Sequence, residues 1–191
     1  MPYFWAYLGI FVAFMVLVLV TIDPGLLRER LRPAPGGKDR RLRAVLAPFA
    51  LAHFAIAALD VAHFHWSDTV PPGLRIAGLA GVAMSLGLVG WAMAVNRYFS
   101  PVVRIQDERG HHVVEAGPYR YVRHPGYLGM VAAALCSPLA IGSWWSMAPI
   151  GGYLLFIIRR AALEDRFLRD HLPGYAEYAA KVRYRMVPGL W

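Results

Sequence analysis

The sequence predicts an all-α, polytopic membrane protein with about five transmembrane helices and a cytoplasmic C-terminal helical cap, and three observations carry that expectation. The 191 residues are 58% hydrophobic and 17% charged, with a mean hydropathy of +0.41, too apolar for an ordinary soluble domain. The apolar residues fall into separate runs of helical length. The basic residues, which bring the formal net charge to +8, collect between those runs and form no separate basic domain with interleaved aromatics, so nucleic acid is not an expected partner. The length suits one integral membrane domain over residues 1–191.

Taken in order, residues 4–22 are uncharged and close to the roughly 20 residues that a helix needs to cross the hydrocarbon core. No basic residue precedes the run and no small-x-small site follows it, so a span is expected and not a cleaved signal. Residues 45–59, extendable through 62, form a less pure second segment containing Pro48 and His53. The third, 76–95, carries Ala77, Gly81, Ala83 and Gly87, small residues that permit close helix contact. The fourth and fifth, 127–141 and 144–158, are separated only by Gly142 and Ser143 and predict a tight helical hairpin. Beyond it, Arg160 and Glu164 share one face of a helix continuing out of the fifth span. Pro173 and Gly174 end that helix, and Tyr175 and Tyr178 then share a face of a second, short one. That short helix either lies on the membrane surface or folds back over a pocket.

Loop charge sets the orientation. Residues 23–43 carry Arg28, Arg30, Arg32, Lys38, Arg40, Arg41 and Arg43, whereas residues 60–73 hold two aspartates and no Lys or Arg. The first loop is therefore expected in the cytoplasm of a cell-membrane protein, with the N-terminus outside and the C-terminus inside. Asn96 to Arg123 and everything after Arg159 then face the cytoplasm together.

The chemistry concentrates in residues 117–129, GPYRYVRHPGYLG. A polar cluster at a membrane boundary is costly unless its groups find partners, so it is a functional candidate by default. A basic anchor with interfacial tyrosines explains Arg and Tyr there, but not His124 followed by Pro125 with glycines at both ends. There is no GxGxxG after a strand, P-loop, HExxH or GxSxG, which argues against a Rossmann-bound nucleotide. His53, His63, His65 and Asp60 read as interfacial or bundle-facing polar residues and no metal site is expected. The single cysteine, Cys136, reads as a packing residue.

The run HHVVEAGPYRYVRHPGYLG from His111, the apolar hairpin, the Arg160/Glu164 helix and the segment GYAEY together resemble the isoprenylcysteine carboxyl methyltransferase family, itself related to the membrane phospholipid methyltransferases. The resemblance covers residues 96–191, a methyltransferase-like core. It implies an integral membrane, S-adenosylmethionine-dependent methyltransferase with a cytoplasmic cofactor pocket, acting on a lipophilic small molecule or lipid delivered from the bilayer. It assigns His111, Val113, Tyr119, His124, Pro125 and Tyr127 to the cofactor site, and Arg160 and Glu164 to the polar pair beside the transferred methyl. Gly117, with its backbone amides, and Arg123, Tyr175 and Tyr178 join the expected cofactor site. Two departures stand out: Glu164 and Asp165 replace what is commonly a pair of glutamates, and LPGY precedes the second helix where a slightly longer Gly and acidic turn is usual. Carboxyl O-methylation is one form of the expected reaction, with thiol, amine and headgroup acceptors open beside it. The competing readings are an NADPH-dependent membrane reductase of the steroid-reductase type and a non-catalytic lipid-binding scaffold.

Overall fold

A computed structural model of the chain describes residues 2–32 and 42–191. Lys38, Arg40 and Arg41 of the first loop lie outside the described residues. The elements are α1 (Pro2–Thr21), α2 (Pro24–Leu31), α3 (Leu42–Leu59), α4 (Pro72–Val95), α5 (Pro125–Ile141), α6 (Met147–His171) and α7 (Tyr175–Lys181). The chain is an all-α polytopic membrane protein. Three helices, Pro2–Thr21, Ala44–Phe64 and Pro72–Val95, are long and apolar enough to cross a membrane, and α5 is a shorter apolar helix. Trp5, Val16 and Val20 of α1 are exposed and only Val18 is buried; an apolar helix so little covered by protein fits a lipid surround. The fifth expected span is the first part of α6, whose 25 residues continue without a break into a charged second part.

The bundle is organised around the contact between α4 and α5. A Cβ on Gly78 would lie 2.4 Å from the Ala140 nitrogen, and one on Gly129 2.7 Å from the Ser85 carbonyl oxygen. The two backbones therefore touch, as small residues allow in membranes, where packing and not water drives helix association. Of the four small residues marked in the sequence only Gly81 faces this contact, against Cys136; Ala77, Ala83 and Gly87 are exposed. The contact stripe on α4 is Gly78, Gly81 and Ser85, at spacings of three and four, which is helical geometry. α1 packs across α4 through Val18, Ile22, Val89 and Met93. α3 meets α6, where Phe49 fills the space over Gly152.

The hairpin turn is longer than expected, running from Gly142 to Ser146 before α6 begins at Met147. Gly142 turns left-handed at φ +90°. The turn is held from outside the hairpin: α3 ends in a π-helical turn, Asp60–Phe64, which places the fully buried Asp60 where Ser67 and Ser143 donate their hydroxyls to it at 2.5 Å each. His53 Nδ1 meets the Ser146 carbonyl at 3.0 Å and Nε2 meets Ser137 Oγ at 2.8 Å. His53 and Asp60 thus bond to serines, and among the described residues no group of three or more His, Cys, Asp or Glu is arranged to hold a metal.

The first loop contains α2, which the charge pattern did not announce. Asp23 caps it by accepting from the Leu26 amide at 2.9 Å. Buried Glu29 holds Arg104 through Oε1 at 3.0 Å and Oε2 at 2.9 Å, and Asp23 holds Arg109 at 3.0 Å. α2 is thereby fastened beneath the loop that leads to α5.

Gly78→Ala is expected to lower the thermal stability of the purified protein by about 1–3 kcal/mol, because the new methyl meets backbone that cannot yield. Gly87→Ala, into open space, is expected to be neutral or slightly stabilising. Equal unfolding midpoints for the two variants contradict the contact.

Candidate functional site

The loop between α4 and α5 is built on Asn96, Tyr98 and Gln106. Asn96 accepts from the Tyr98 amide at 2.9 Å and donates to the Tyr119 hydroxyl at 3.1 Å. Buried Gln106 donates to the Tyr98 carbonyl at 2.8 Å, and the Tyr98 hydroxyl donates to the Gly110 carbonyl at 2.7 Å. At Gly117 the backbone is left-handed (φ +56°), and a Cβ there would lie 2.9 Å from Val95 and 3.2 Å from the Trp91 ring. Both facts demand glycine. Its role is to fold the motif onto α4, and it does not line the cavity described below.

The motif is then locked to the C-terminal tail. The amides of Arg123 and His124 donate to the carbonyls of Tyr184 and Arg185 at 2.9 and 2.7 Å. Arg123 Nη1 donates to the carbonyls of Val182 and Arg183, while Nε and Nη2 grip Asp165 at 2.7 and 3.2 Å. Asp165 is fully buried and also receives Arg185 at 3.0 Å, Arg169 at 3.2 Å and the Tyr175 hydroxyl at 3.1 Å, with His124 Nε2 at 3.4 Å. Burial would raise the carboxyl's pKa, but bonds from His124 and Arg123 outweigh it and hold the group well below the usual carboxylate range. Pro125, buried, opens α5 immediately after His124 and stands outside the cavity lining.

α7 folds back onto the loop before α5. Tyr175 and Tyr178 are 4% and 1% exposed, and they pack with Leu172 and Ala179 against Val113. The Tyr178 hydroxyl donates to the Tyr119 carbonyl at 2.7 Å. Burial raises the pKa values of Tyr119, Tyr175 and Tyr178, so all three are neutral hydrogen-bonding phenols at physiological pH. Burial and the neighbouring His112 push His111 down to about 4. Its Nδ1 accepts from the Gln106 amide at 3.3 Å, which leaves the ring proton on Nε2 of a neutral imidazole.

Between the loop and the C-terminal helices lies a cavity of about 220 Å³. His111, Val113, Tyr119, Arg123, His124, Tyr127, Arg160, Glu164, Tyr175 and Tyr178 all line it, although α5 and its hairpin with α6 separate the two groups in sequence. Leu46, Phe99 and Met130 give it an apolar wall. Arg160 is 8% exposed; Nη2 donates to the Pro101 carbonyl at 2.8 Å and the guanidinium lies 5.8 Å over the Tyr127 ring. The Tyr127 hydroxyl donates to Glu164 at 2.5 Å. Buried Arg160 and half-buried Glu164 are therefore parts of a tyrosine-linked cavity wall and not an exposed surface pair.

Sequence reasoning gave no role to Asn96, Tyr98 or Arg30, which also line the cavity. Asn96 had a readable signal, since it is the first polar residue after an apolar span and caps α4. Asp165 was visible only as one of two adjacent acids; that it gathers Arg123 from 42 residues away has no local signature.

Asp165→Asn leaves the buried guanidinium of Arg123 without its counter-charge and is expected to destabilise the fold by about 3–5 kcal/mol. In the wild type the contribution is fully present above the carboxyl's ordinary value of 3.8 and is lost as pH falls below it, because the folded-state value is depressed. Thermal unfolding of both proteins at neutral pH checks this, and a loss under 1 kcal/mol contradicts it.

The sequence model of the isoprenylcysteine carboxyl methyltransferase family matches residues 79–170. Proteins of two rice subspecies, Oryza sativa subsp. indica and japonica, each named probable protein-S-isoprenylcysteine O-methyltransferase, are 34% identical over 97 residues, covering 47% of this chain and 48% of theirs. The cobalt-zinc-cadmium resistance protein CzcN of Cupriavidus metallidurans is 32% identical over 134 residues, covering 67% of this chain and 56% of its own. The chain spans about half the length of these relatives. The match begins inside α4 and ends at Asp170 in α6, taking in the loop, the His124 motif, the hairpin and the Arg160–Asp165 face. Over residues 79–170, from within α4 to the Arg160–Asp165 face, this chain is thus similar to the isoprenylcysteine carboxyl methyltransferase family.

Proposed function

We propose that the chain is an S-adenosylmethionine-dependent methyltransferase whose acceptor is the carboxylate of a lipophilic molecule. The observation that carries the proposal is a buried arginine, Arg160, set beside Glu164 in a cavity with tyrosines on one side and Leu46, Phe99 and Met130 on the other. The family match weighs for methyl transfer over the reductase and scaffold readings; the family's description names a carboxyl methyltransferase, and the rice relatives are named O-methyltransferases.

The donor set suits the cofactor. S-adenosylmethionine, when bound, supplies a methyl group activated on a cationic sulfonium. Tyr119, Tyr175 and Tyr178 offer ring surfaces for an adenine, neutral His111 and the Asn96 amide offer hydrogen bonds, and His124 and Arg123 lie where a carboxylate would be welcome. Glu164, aligned by the Tyr127 hydroxyl, places negative charge near a cation.

A carboxylate acceptor needs no proton removed before it attacks. It needs orientation, a counter-charge and a site closed to water. Arg160 supplies the first two through a permanently charged planar fork suited to two-point binding of a carboxylate. The Pro101 carbonyl and the Tyr127 ring hold that fork in place before substrate arrives. The apolar wall admits an aliphatic chain and keeps water out.

The charge asymmetry of the loops puts this cavity in the cytoplasm, where S-adenosylmethionine is available, and the N-terminus outside. In a Cys136→Ala background, a cysteine at exposed Asp68 is expected to react with an impermeant maleimide on intact cells, and one at exposed Lys181 only after permeabilisation. The opposite pattern contradicts the orientation.

Arg160→Ala is expected to reduce methyl transfer to a lipophilic acid at least ~100-fold (about 2.7 kcal/mol) while retaining most of the cofactor affinity. Arg160→Lys is expected to recover little of it, since an ammonium cannot reproduce the two-point grip. Radiolabelled methyl incorporation measures both. Full activity in Arg160→Ala removes the residue from acceptor binding, and strong rescue by lysine points to an acceptor that needs only a nearby positive charge.

A further inference from the structure

Around Asp165 the chain collects arginines, and Arg169, Arg183 and Arg185 among them stand outside the lining of the first cavity. Asp165 is shared by Arg123, Arg169 and Arg185, at 2.7, 3.2 and 3.0 Å. One carboxylate thus faces three guanidinium groups, and exposed Arg183 adds a fourth cation beside them. A second cavity of about 290 Å³ opens here, with Arg169, Arg183, Arg185, Leu190 and Trp191 in its wall. A groove along α6 past Leu163 and Arg166 also reaches Arg169 and Arg185.

The position along α6 indicates what fills it. Leu155 and Ile158 are exposed apolar residues of this helix, exposed Arg159 follows them, and beyond exposed Leu163 come the exposed side chains of Arg166 and Arg169. At the helical rise Arg159 to Arg169 spans about 15 Å, so the arginines begin at the edge of the fifth apolar run and continue past a headgroup layer about 5–8 Å thick. Leu190, 81% exposed, and Trp191 border the same arginines, and a tryptophan at a cationic rim is the pattern of a membrane interface. Charge and the adjoining apolar rim together select an anion fixed in the bilayer surface.

We propose that this second cavity binds the phosphate of an anionic phospholipid, with Arg169, Arg183 and Arg185 around the phosphate and Leu190 and Trp191 against the glycerol and upper acyl chains. Arg123 lines both cavities, whereas Arg160 and Glu164 line only the first, so the headgroup is a separate ligand from the methyl acceptor. Binding there neutralises the cationic excess around Asp165 and ties the tail that carries the Arg123 and His124 backbone bonds to the membrane surface.

Native mass spectrometry of the full chain in detergent, titrated with phosphatidylglycerol or phosphatidylcholine, tests this without reference to activity. The wild type is expected to bind phosphatidylglycerol preferentially. The double variant Arg169→Gln, Arg183→Gln is expected to lose about tenfold or more in that affinity, and a control that removes the same charge elsewhere, Arg28→Gln with Arg32→Gln, is expected to keep it. Because Arg169 also touches Asp165, Arg183→Glu alone is the second variant and is expected to weaken binding with an unchanged unfolding midpoint. Inorganic phosphate at millimolar concentration is expected not to displace the lipid. Equal binding of the two lipids, equal losses in the site and control variants, unchanged affinity in Arg183→Glu, or displacement by free phosphate each overturns the proposal.

Discussion

The arrangement depends on one buried carboxylate. Asp165 sits on α6, yet its partners come from the segment before α5, from α7 and from the tail. An ion in that position is costly unless every lone pair is used, and here three guanidinium groups and a phenol use them. The lowered carboxyl pKa is the thermodynamic expression of that satisfaction. The consequence is positional: Arg123 cannot shift without breaking bonds to Asp165 and to two tail carbonyls, and His124 is the next residue along the chain.

A second constraint works from within the bilayer. α4 and α5 approach until their backbones touch at Gly78 and Gly129, which sets where the loop between them begins and ends. Asp60 and His53 fix the α5–α6 turn at the other end. With both ends of α5 determined, α6 returns to the side that α5 left and presents Arg160 and Glu164 to Tyr127. The cavity is thus a product of membrane packing at one end and of a charge network at the other.

Much of this was legible in the sequence because it is written in local patterns. The apolar runs gave the helices, Pro173–Gly174 gave the break before α7, and the four-residue spacing of Arg160 and Glu164 gave their shared face. What was not legible is non-local. α2 was hidden because its stabilising partners, Arg104 and Arg109, lie 75 and 86 residues away from Glu29 and Asp23. The turn at Gly142 was underestimated because its length is set by Asp60, 83 residues earlier. Of the candidate site residues, Gly117 and Pro125 shape the backbone beside the cavity, and the other ten line it. A motif identifies a neighbourhood, whereas the lining of a cavity depends on which way each side chain points after folding.

The most direct test of the central claim, that the Asp165-braced cavity between the loop and α6–α7 is a cofactor site, is calorimetric titration of the purified chain with S-adenosylmethionine, alongside His124→Ala. The substitution keeps the backbone bond from residue 124 to the Arg185 carbonyl and removes the imidazole with its 3.4 Å contact to Asp165. One binding site is expected in the wild type, and an affinity weakened by roughly tenfold, about 1.4 kcal/mol, in a variant that still unfolds cooperatively from a folded state at the titration temperature. Undiminished affinity in His124→Ala, or no binding of S-adenosylmethionine to the folded wild type, would contradict it.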